Sequence, residues 1–323
     1  MKIRLLLFVL LTLLFAYIRN LTADDTLPSY HPFKSPKAQV QYLAFNEMLS
    51  KKWLVSGETI IVGTSFGKTF IRISGPIGAR PLVLLPGSGA NSLMWRGNVE
   101  ELSKHFRIYA IDNINDFGRS IYTNAPKNPD DFSKWLNELF SELNLGDSLN
   151  IMGMSYGGWI VSQYSMRNPK RLKKVILLAP AATILPVRFE FILRVLLSLT
   201  SKHFAHSFFY WIFADLVHKD ENGRQRVEEV VEETSLSIRC FKPFKLVVPT
   251  VLKDEELCNL QSTPTLFVVG EHEKLYSAKK AIERLKKVAP QIKTEIITGV
   301  GHDMAVTQAD VVDSIVIHFI KER

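Results

Sequence analysis

Cysteine is scarce: two residues, Cys240 and Cys258, in a chain of 323. Their spacing is not that of metal ligands, so no zinc or cluster site is built on them. An exported chain could join them, but sequence separation alone says nothing about disulfide geometry. There is no nucleotide-phosphate fingerprint and no metal-ligand motif, so no cofactor and no metal are expected. No internal repeat is seen, which excludes a solenoid or propeller. No nucleic-acid-binding motif accompanies the basic residues, so no nucleic-acid partner is expected.

What is present is ample apolar material: 46% of residues are hydrophobic, enough for a sizeable core. The net charge of +8 comes from scattered lysines and arginines. The run Lys279, Lys280, Arg284, Lys286 and Lys287 falls at helical spacing and reads as a solvated helix face. The N-terminus, MKIRLLLFVLLTLLFAYIRN, sets Lys2 and Arg4 before an apolar stretch over 5–18. At about 14 residues it suits the core of an export signal and falls short of the ~20 of a spanning helix. Residues 1–22 are therefore read as a signal peptide or membrane anchor, with the remainder outside the membrane. This implies a secreted or anchored protein and a membrane association through the N-terminus.

After a polar segment, strand patterns at 59–62, 69–74, 82–85, 108–111, 149–152, 175–178, 265–269 and 294–297 alternate with helix patterns at 92–104, 130–143, 156–167, 278–288 and 308–320. Several strands are nearly continuous apolar runs, as expected where both faces of a parallel sheet are covered. The alternation predicts an α/β fold with a mostly parallel, doubly wound sheet over 23–323. The first two strands form an antiparallel edge hairpin. Between about 184 and 261 no strand pattern occurs, and FEFILRVLLSL and HFAHSFFYWIFADLVH read as inserted helices. A cap over the carboxyl edge of the sheet would bury their aromatics; a dimer surface or a membrane contact is the alternative.

The chemistry centres on "GMSYGG". Gly153-Met154-Ser155-Tyr156-Gly157 is G-x-S-x-G where a strand meets a helix, a sharp turn on which Gly153 and Gly157 leave room for neighbouring backbone and Ser155 projects its hydroxyl. A serine hydroxyl needs a base to act as a nucleophile. His302, in a glycine-flanked loop between the last strand and the last helix, fits that role better than the chain's other histidines. His272 is weaker because the base should follow the acid along the chain. An acid in Gly270-Glu271-His272-Glu273 would fix the imidazole tautomer; Glu273, third after the glycine, is chosen over Glu271. Oxyanion donors are expected from the amides of Tyr156 and Ser88, the latter in the Gly-rich loop after 82–85.

These residues resemble the α/β-hydrolase family over nearly everything after the N-terminal segment. More closely, "TSFGKTFIRISGP", "PLVLLPGSGANSLMW", "AIDNINDFGRS", "GMSYGG", "GEHEKLYS" and "GVGHDM" are similar to the bacterial carboxylesterase NP type, in which glutamate replaces the commoner aspartate of the triad. The usual His-Gly after the third strand is Pro86-Gly87 here. The resemblance implies a cofactor-free serine esterase with Ser155, Glu273 and His302 as triad and a helical cap; the substrate is read as a small-molecule ester with apolar acyl or alcohol groups. The same constellation serves lipases, thioesterases and acyltransferases. A non-catalytic, membrane-tethered binding protein of this fold is the reading of another class.

Overall fold

The computed structural model describes residues 27–243 and 245–322. The strands that read as unbroken apolar runs lie at the centre of the sheet: β3 (Pro81–Leu85), β6 (Leu149–Met154), β7 (Leu172–Leu178) and β8 (Thr265–Gly270) are buried almost throughout. The edges are β1 (Gly57–Thr64) and β9 (Lys293–Ile297), which alternate or expose their side chains. Between them the order is β1-β2-β4-β3-β6-β7-β8-β9, with β2 at Gly67–Ser74 and β4 at Arg107–Ile111; a short β5 (Ile121–Tyr122) pairs with β2. The β1–β2 and β2–β4 pairs are antiparallel and the other five along the path are parallel. The expected edge hairpin and mostly parallel sheet are both present.

Helices cover the sheet. The first, α1 (Pro36–Ser50), is capped by Ser35, whose side chain accepts the Ala38 amide, and has proline in its first turn. The pattern at 92–104 is not one helix. A 3₁₀ turn over Ser92–Gly97, capped by the Asn91 side chain on the Leu93 amide, is followed by α2 (Val99–Leu102). Next, α3 (Pro129–Glu142) begins at Asn128, whose side chain accepts the Asp131 amide, and buries Phe132, Trp135, Leu136, Leu139 and Phe140. This is the aromatic stripe expected of a core-facing helix. Helix α4 (Tyr156–Arg167) follows β6 directly.

Among the described residues, five helices stand between β7 and β8: α5 (Phe189–Ser198), α6 (Lys202–Ile212), α7 (Ala214–Lys219), α8 (Glu221–Cys240) and α9 (Asp254–Leu260). The sheet is completed by α10 (Ala278–Val288), α11 (Met304–Thr307) and α12 (Ala309–Lys321). Both cysteines are free, Cys240 buried and Cys258 exposed.

The expectation of a protein exported and held at a membrane is corrected here: among the described residues no helix is long and apolar enough to cross one. The apolar helices α5 and α6 have 10 and 11 residues, against the ~20 a bilayer requires. The segment 1–22 that prompted the expectation lies outside the described residues.

The strand order places the site. From β3 the chain steps outward to β4, then returns to β6 on the other flank of β3 and continues through β7, β8 and β9. The order reverses between β3 and β6, and a crevice opens at the carboxyl ends of strands where it does so. The loops that leave β3 and β6 therefore face each other.

Trp135 is fully buried and donates its indole N–H to the Thr69 hydroxyl at 2.9 Å. Trp135→Ala is expected to cost about 3–5 kcal/mol of stability through the cavity and the lost bond. The urea midpoint checks this, and an unchanged midpoint would show that α3 does not lock the core.

Candidate active site

Ser155 sits between β6 and α4 with φ 52° and ψ −115°. For a residue with a side chain, such a conformation costs about 1–3 kcal/mol and persists only where the surroundings impose it. Here they do. The Ser155 amide donates to the Leu178 carbonyl at 2.9 Å, and the Ser155 carbonyl accepts from the amides of Trp159 (3.0 Å) and Ala181 (2.9 Å). A Cβ on Gly153 would lie 2.3 Å from the Gly157 carbonyl oxygen, and one on Gly157 would lie 2.4 Å from the carbonyl oxygens of both Leu85 and Pro86. Glycine is thus required at both positions. Gly158 also matters, because a Cβ there would meet Pro180 at 2.9 Å. Serine at a helix start normally spends its oxygen on a capping bond, yet the Ser155 side chain caps no amide. Its hydroxyl is left over for chemistry.

His302 and Glu273 come together from neighbouring loops. The His302 Nδ1 lies 2.9 and 3.1 Å from the two carboxylate oxygens of Glu273, and both residues are buried. Glu273 Oε1 also accepts the Leu275 amide at 2.8 Å, fixing the carboxylate. The loops meet closely: a Cβ on Gly270 would lie 2.4 Å from the carbonyl oxygens of Val300 and Gly301. Burial opposes the charged imidazolium, but the charge and hydrogen bond of Glu273, with the charge of Asp303, outweigh it and hold the His302 pKa above its ordinary 6.5.

The competing residues are used elsewhere. Glu271 is exposed and accepts the Gly299 amide at 3.0 Å. His272 is exposed and pairs with Asp215 of α7 at 3.0 Å. Ser155 and His302 share the carboxyl edge of the sheet but no direct hydrogen bond joins them. Such bonds are commonly long in a ligand-free enzyme.

On the β3 side, Gly87 approaches Ser155, a Cβ there falling 3.4 Å from Ser155 Cβ. Among the described residues, the amides of Ser88 and Tyr156 donate to no main-chain carbonyl. The Tyr156 amide is in the first turn of α4, where the helix dipole favours negative charge. Two free N–H groups thus flank Ser155, as oxyanion stabilisation needs.

Sequence reading missed several neighbours. Tyr156 sends its side chain away from the elbow, donating its hydroxyl to the Val247 carbonyl at 3.1 Å. Asp303 accepts the Leu216 amide at 3.1 Å and so ties the His302 loop to α7. Asn91 donates to Glu233 of α8 at 2.7 Å. Each joins segments far apart in the chain, and only the "GHDM" run hinted at Asp303. Among the described residues no group of three His, Cys, Asp or Glu side chains could hold a metal ion.

A strained serine at a topological switch point, a buried His–Glu pair on the loops after β8 and β9, and amides bonded to no main-chain carbonyl lie along one edge of an α/β sheet. The chain belongs to the alpha/beta hydrolase fold family, whose pattern matches residues 80–308. It is 32% identical over 279 residues to the carboxylesterase YbfK of Bacillus subtilis (strain 168), covering 86% of this chain and 93% of that protein. It is equally similar, over 280 residues, to an uncharacterized carboxylesterase, nap, of the same strain, covering 86% and 91%. Among solved structures, naproxen esterase (carboxylesterase NP) from Bacillus subtilis superposes with a TM-score of 0.80 at 28% identity, covering 88% of this chain and 98% of that one. The resemblance to carboxylesterase NP-type esterases is borne out.

Gly157→Ala would drive a methyl group into two main-chain carbonyls that cannot swing aside. The expected result is ester hydrolysis reduced about 10²-fold, since misplacing reacting groups by about 1 Å costs that much. Wild-type activity in the purified, folded variant would refute the close-approach account of the elbow.

Proposed function

We propose that this chain is a serine carboxylesterase in which Ser155, His302 and Glu273 act as triad and the amides of Ser88 and Tyr156 form the oxyanion hole. It is a carboxylic ester hydrolase. The observation that carries the assignment of roles is the buried His302–Glu273 hydrogen bond at the same sheet edge as the strained, uncapped Ser155.

His302 Nε2 takes the proton from Ser155 Oγ as the oxygen attacks the ester carbonyl. The carbonyl oxygen becomes an oxyanion held by the two amides, each such donor contributing about 3 kcal/mol in the transition state. Glu273 accepts a hydrogen bond from Nδ1–H throughout, without taking the proton, which keeps Nε2 free as base and stabilises the imidazolium. The tetrahedral intermediate collapses, the imidazolium protonates the leaving alkoxide, and the alcohol departs. Water, deprotonated by His302, then attacks the acyl-enzyme. The carboxylic acid is released and Ser155 regains its proton.

The helices within about 184–261 act as a cap on this site. Supporting this are the bonds from α7 to the His302 loop, from α8 to Asn91, and from Tyr156 to Val247. Phe191, Phe208, Phe209, Trp211 and Phe213 of the insertion pack half-buried against the core. An apolar acyl or alcohol group suits such a lining.

The test is hydrolysis of p-nitrophenyl esters from acetate to palmitate, with Ser155→Ala in parallel. The variant is expected to lose about 10⁶-fold in kcat. A variant as active as the wild type would remove Ser155 from the reaction.

The pH profile follows from the His302 environment. The neutral imidazole is the base, so kcat/KM falls as pH drops through the His302 pKa. The acid limb is expected above pH 6.5, because the Glu273 and Asp303 charges outweigh burial. Glu273→Gln removes the Glu273 charge and leaves the burial, so the limb moves to lower pH while kcat falls by up to about 10⁴-fold. A limb that stays in place would mean that another group titrates.

A further inference from the structure

The loop that carries the Ser88 amide is a tight turn. The Ala90 amide donates to the Gly87 carbonyl at 3.3 Å, and Gly89 has φ +77°. A positive φ at the third position is the mark of a type II turn, which differs from type I by a flip of the central Ser88–Gly89 peptide. A flip there would turn over the Ser88 carbonyl and the Gly89 N–H, so whatever holds the Gly89 N–H holds the turn that presents the Ser88 N–H.

One side chain grips that peptide. Asp116 receives the Gly89 amide on both carboxylate oxygens, at 3.0 and 3.1 Å, and the Phe117 amide at 2.8 Å. The Ser88 hydroxyl is hydrogen-bonded to the same carboxyl. Asp116 is 3% exposed, and among the described residues no lysine, arginine or histidine forms an ion pair with it.

A carboxylate buried without a counter-ion is costly to keep, and a core would be served as well by an apolar side chain. Burial and the neighbouring Asp112 raise the Asp116 pKa to about 7, against the amide and hydroxyl bonds that lower it. Groups held at such expense concentrate at functional sites. The partners of this one point to the function it serves: two belong to the turn beside Ser155, and Gly87, which opens that turn, lies against the nucleophile.

We infer that Asp116 is a positioning residue of the oxyanion hole, holding the Gly87–Ala90 turn through its Gly89 amide so that the Ser88 amide faces the developing oxyanion. The inference rests on the esterase reading above and assigns a role to a residue outside the triad. Asp116 touches neither the ester nor Ser155; it acts through the turn. Its effect therefore belongs to the transition state, where the charge develops, and not to ground-state binding.

The experiment compares wild type, Asp116→Asn, Asp116→Ala and Asp116→Leu. kcat and KM are measured on a p-nitrophenyl ester, and Ki for a trifluoromethyl ketone whose adduct with Ser155 carries the oxyanion. Removing one oxyanion donor outright costs about 10²–10³-fold, so misaiming it by Asp116→Ala is expected to lower kcat about 10–100-fold. KM should stay within about threefold, and Ki should rise by the same factor as kcat falls. Asp116→Asn keeps one acceptor and should lie between wild type and Ala. Asp116→Leu fills the space without an acceptor and, assayed well below its unfolding midpoint, should be as slow as Ala. If Ala does not fold, Asn and Leu carry the test.

Variants with wild-type kcat and Ki, while the wild type is active, would overturn the inference alone. So would losses that track unfolding, or that fall on KM. A wild type that neither turns over esters nor binds the ketone would overturn the esterase reading and the inference with it.

Discussion

Gly157 lies against the carbonyls of Leu85 and Pro86, and Gly153 lies against the carbonyl of Gly157. The rest of the site depends on these two close approaches. They let α4 start within one residue of the end of β6, which holds Ser155 at positive φ with its hydroxyl clear of any capping duty. The strain of about 1–3 kcal/mol is offset by three main-chain hydrogen bonds that bind Ser155 to β7, the loop after it and α4. The same approach joins β3 to the strand–helix junction, so the turn at 87–90 and Ser155 are placed by one contact and not by two independent loops.

Around this point the protein stations buried carboxyl groups whose partners are mainly amides and hydroxyls. Glu273 holds His302 and the Leu275 amide; Asp116 holds the Gly89 amide; Asp303 holds the Leu216 amide; Asp112 holds the amides of Ser92 and Arg119. Glu233, reaching in from α8, holds the Asn91 side chain, and burial pushes its pKa up to about 7. A main-chain amide bonded to a carboxylate has a fixed direction, and fixed dipoles are what an active site needs when charge develops. Burial that weakens Asp112, Asp116, Asp303 and Glu233 as acids also strengthens their hydrogen bonds, since the local dielectric is low.

Much of this was legible in the chain. The apolar strand runs gave the parallel sheet, because a strand covered on both faces has no polar positions to spare. G-x-S-x-G at a strand–helix junction pointed to the elbow, since the glycines are demanded locally. The preference for Glu273 over Glu271 agrees with burial beside His302 against exposure to solvent. What escaped was non-local or weakly patterned. Helix α1 buries Ala38, Tyr42, Asn46 and Leu49 against other segments without a clear apolar stripe, although Ser35-Pro36 was a readable start. The pattern at 92–104 breaks because Asn91 and Asn98 each begin a separate short helix. Asp116 stood in plain view within "AIDNINDFGRS", but nothing in that string says that it folds beneath the turn at 87–90. The N-terminal apolar run led furthest astray, suggesting a location that the described helices do not support.

Acylation of Ser155 during turnover is what the proposed mechanism requires, and rapid quenching traps it. Enzyme mixed with excess p-nitrophenyl ester, quenched in acid within the first turnover and digested, is read by mass spectrometry. The account predicts one acyl group per chain, on the peptide bearing Ser155, appearing with the first equivalent of p-nitrophenol. Acylation of another residue, or steady turnover in the Ser155→Ala protein with no acyl-enzyme formed, would contradict it.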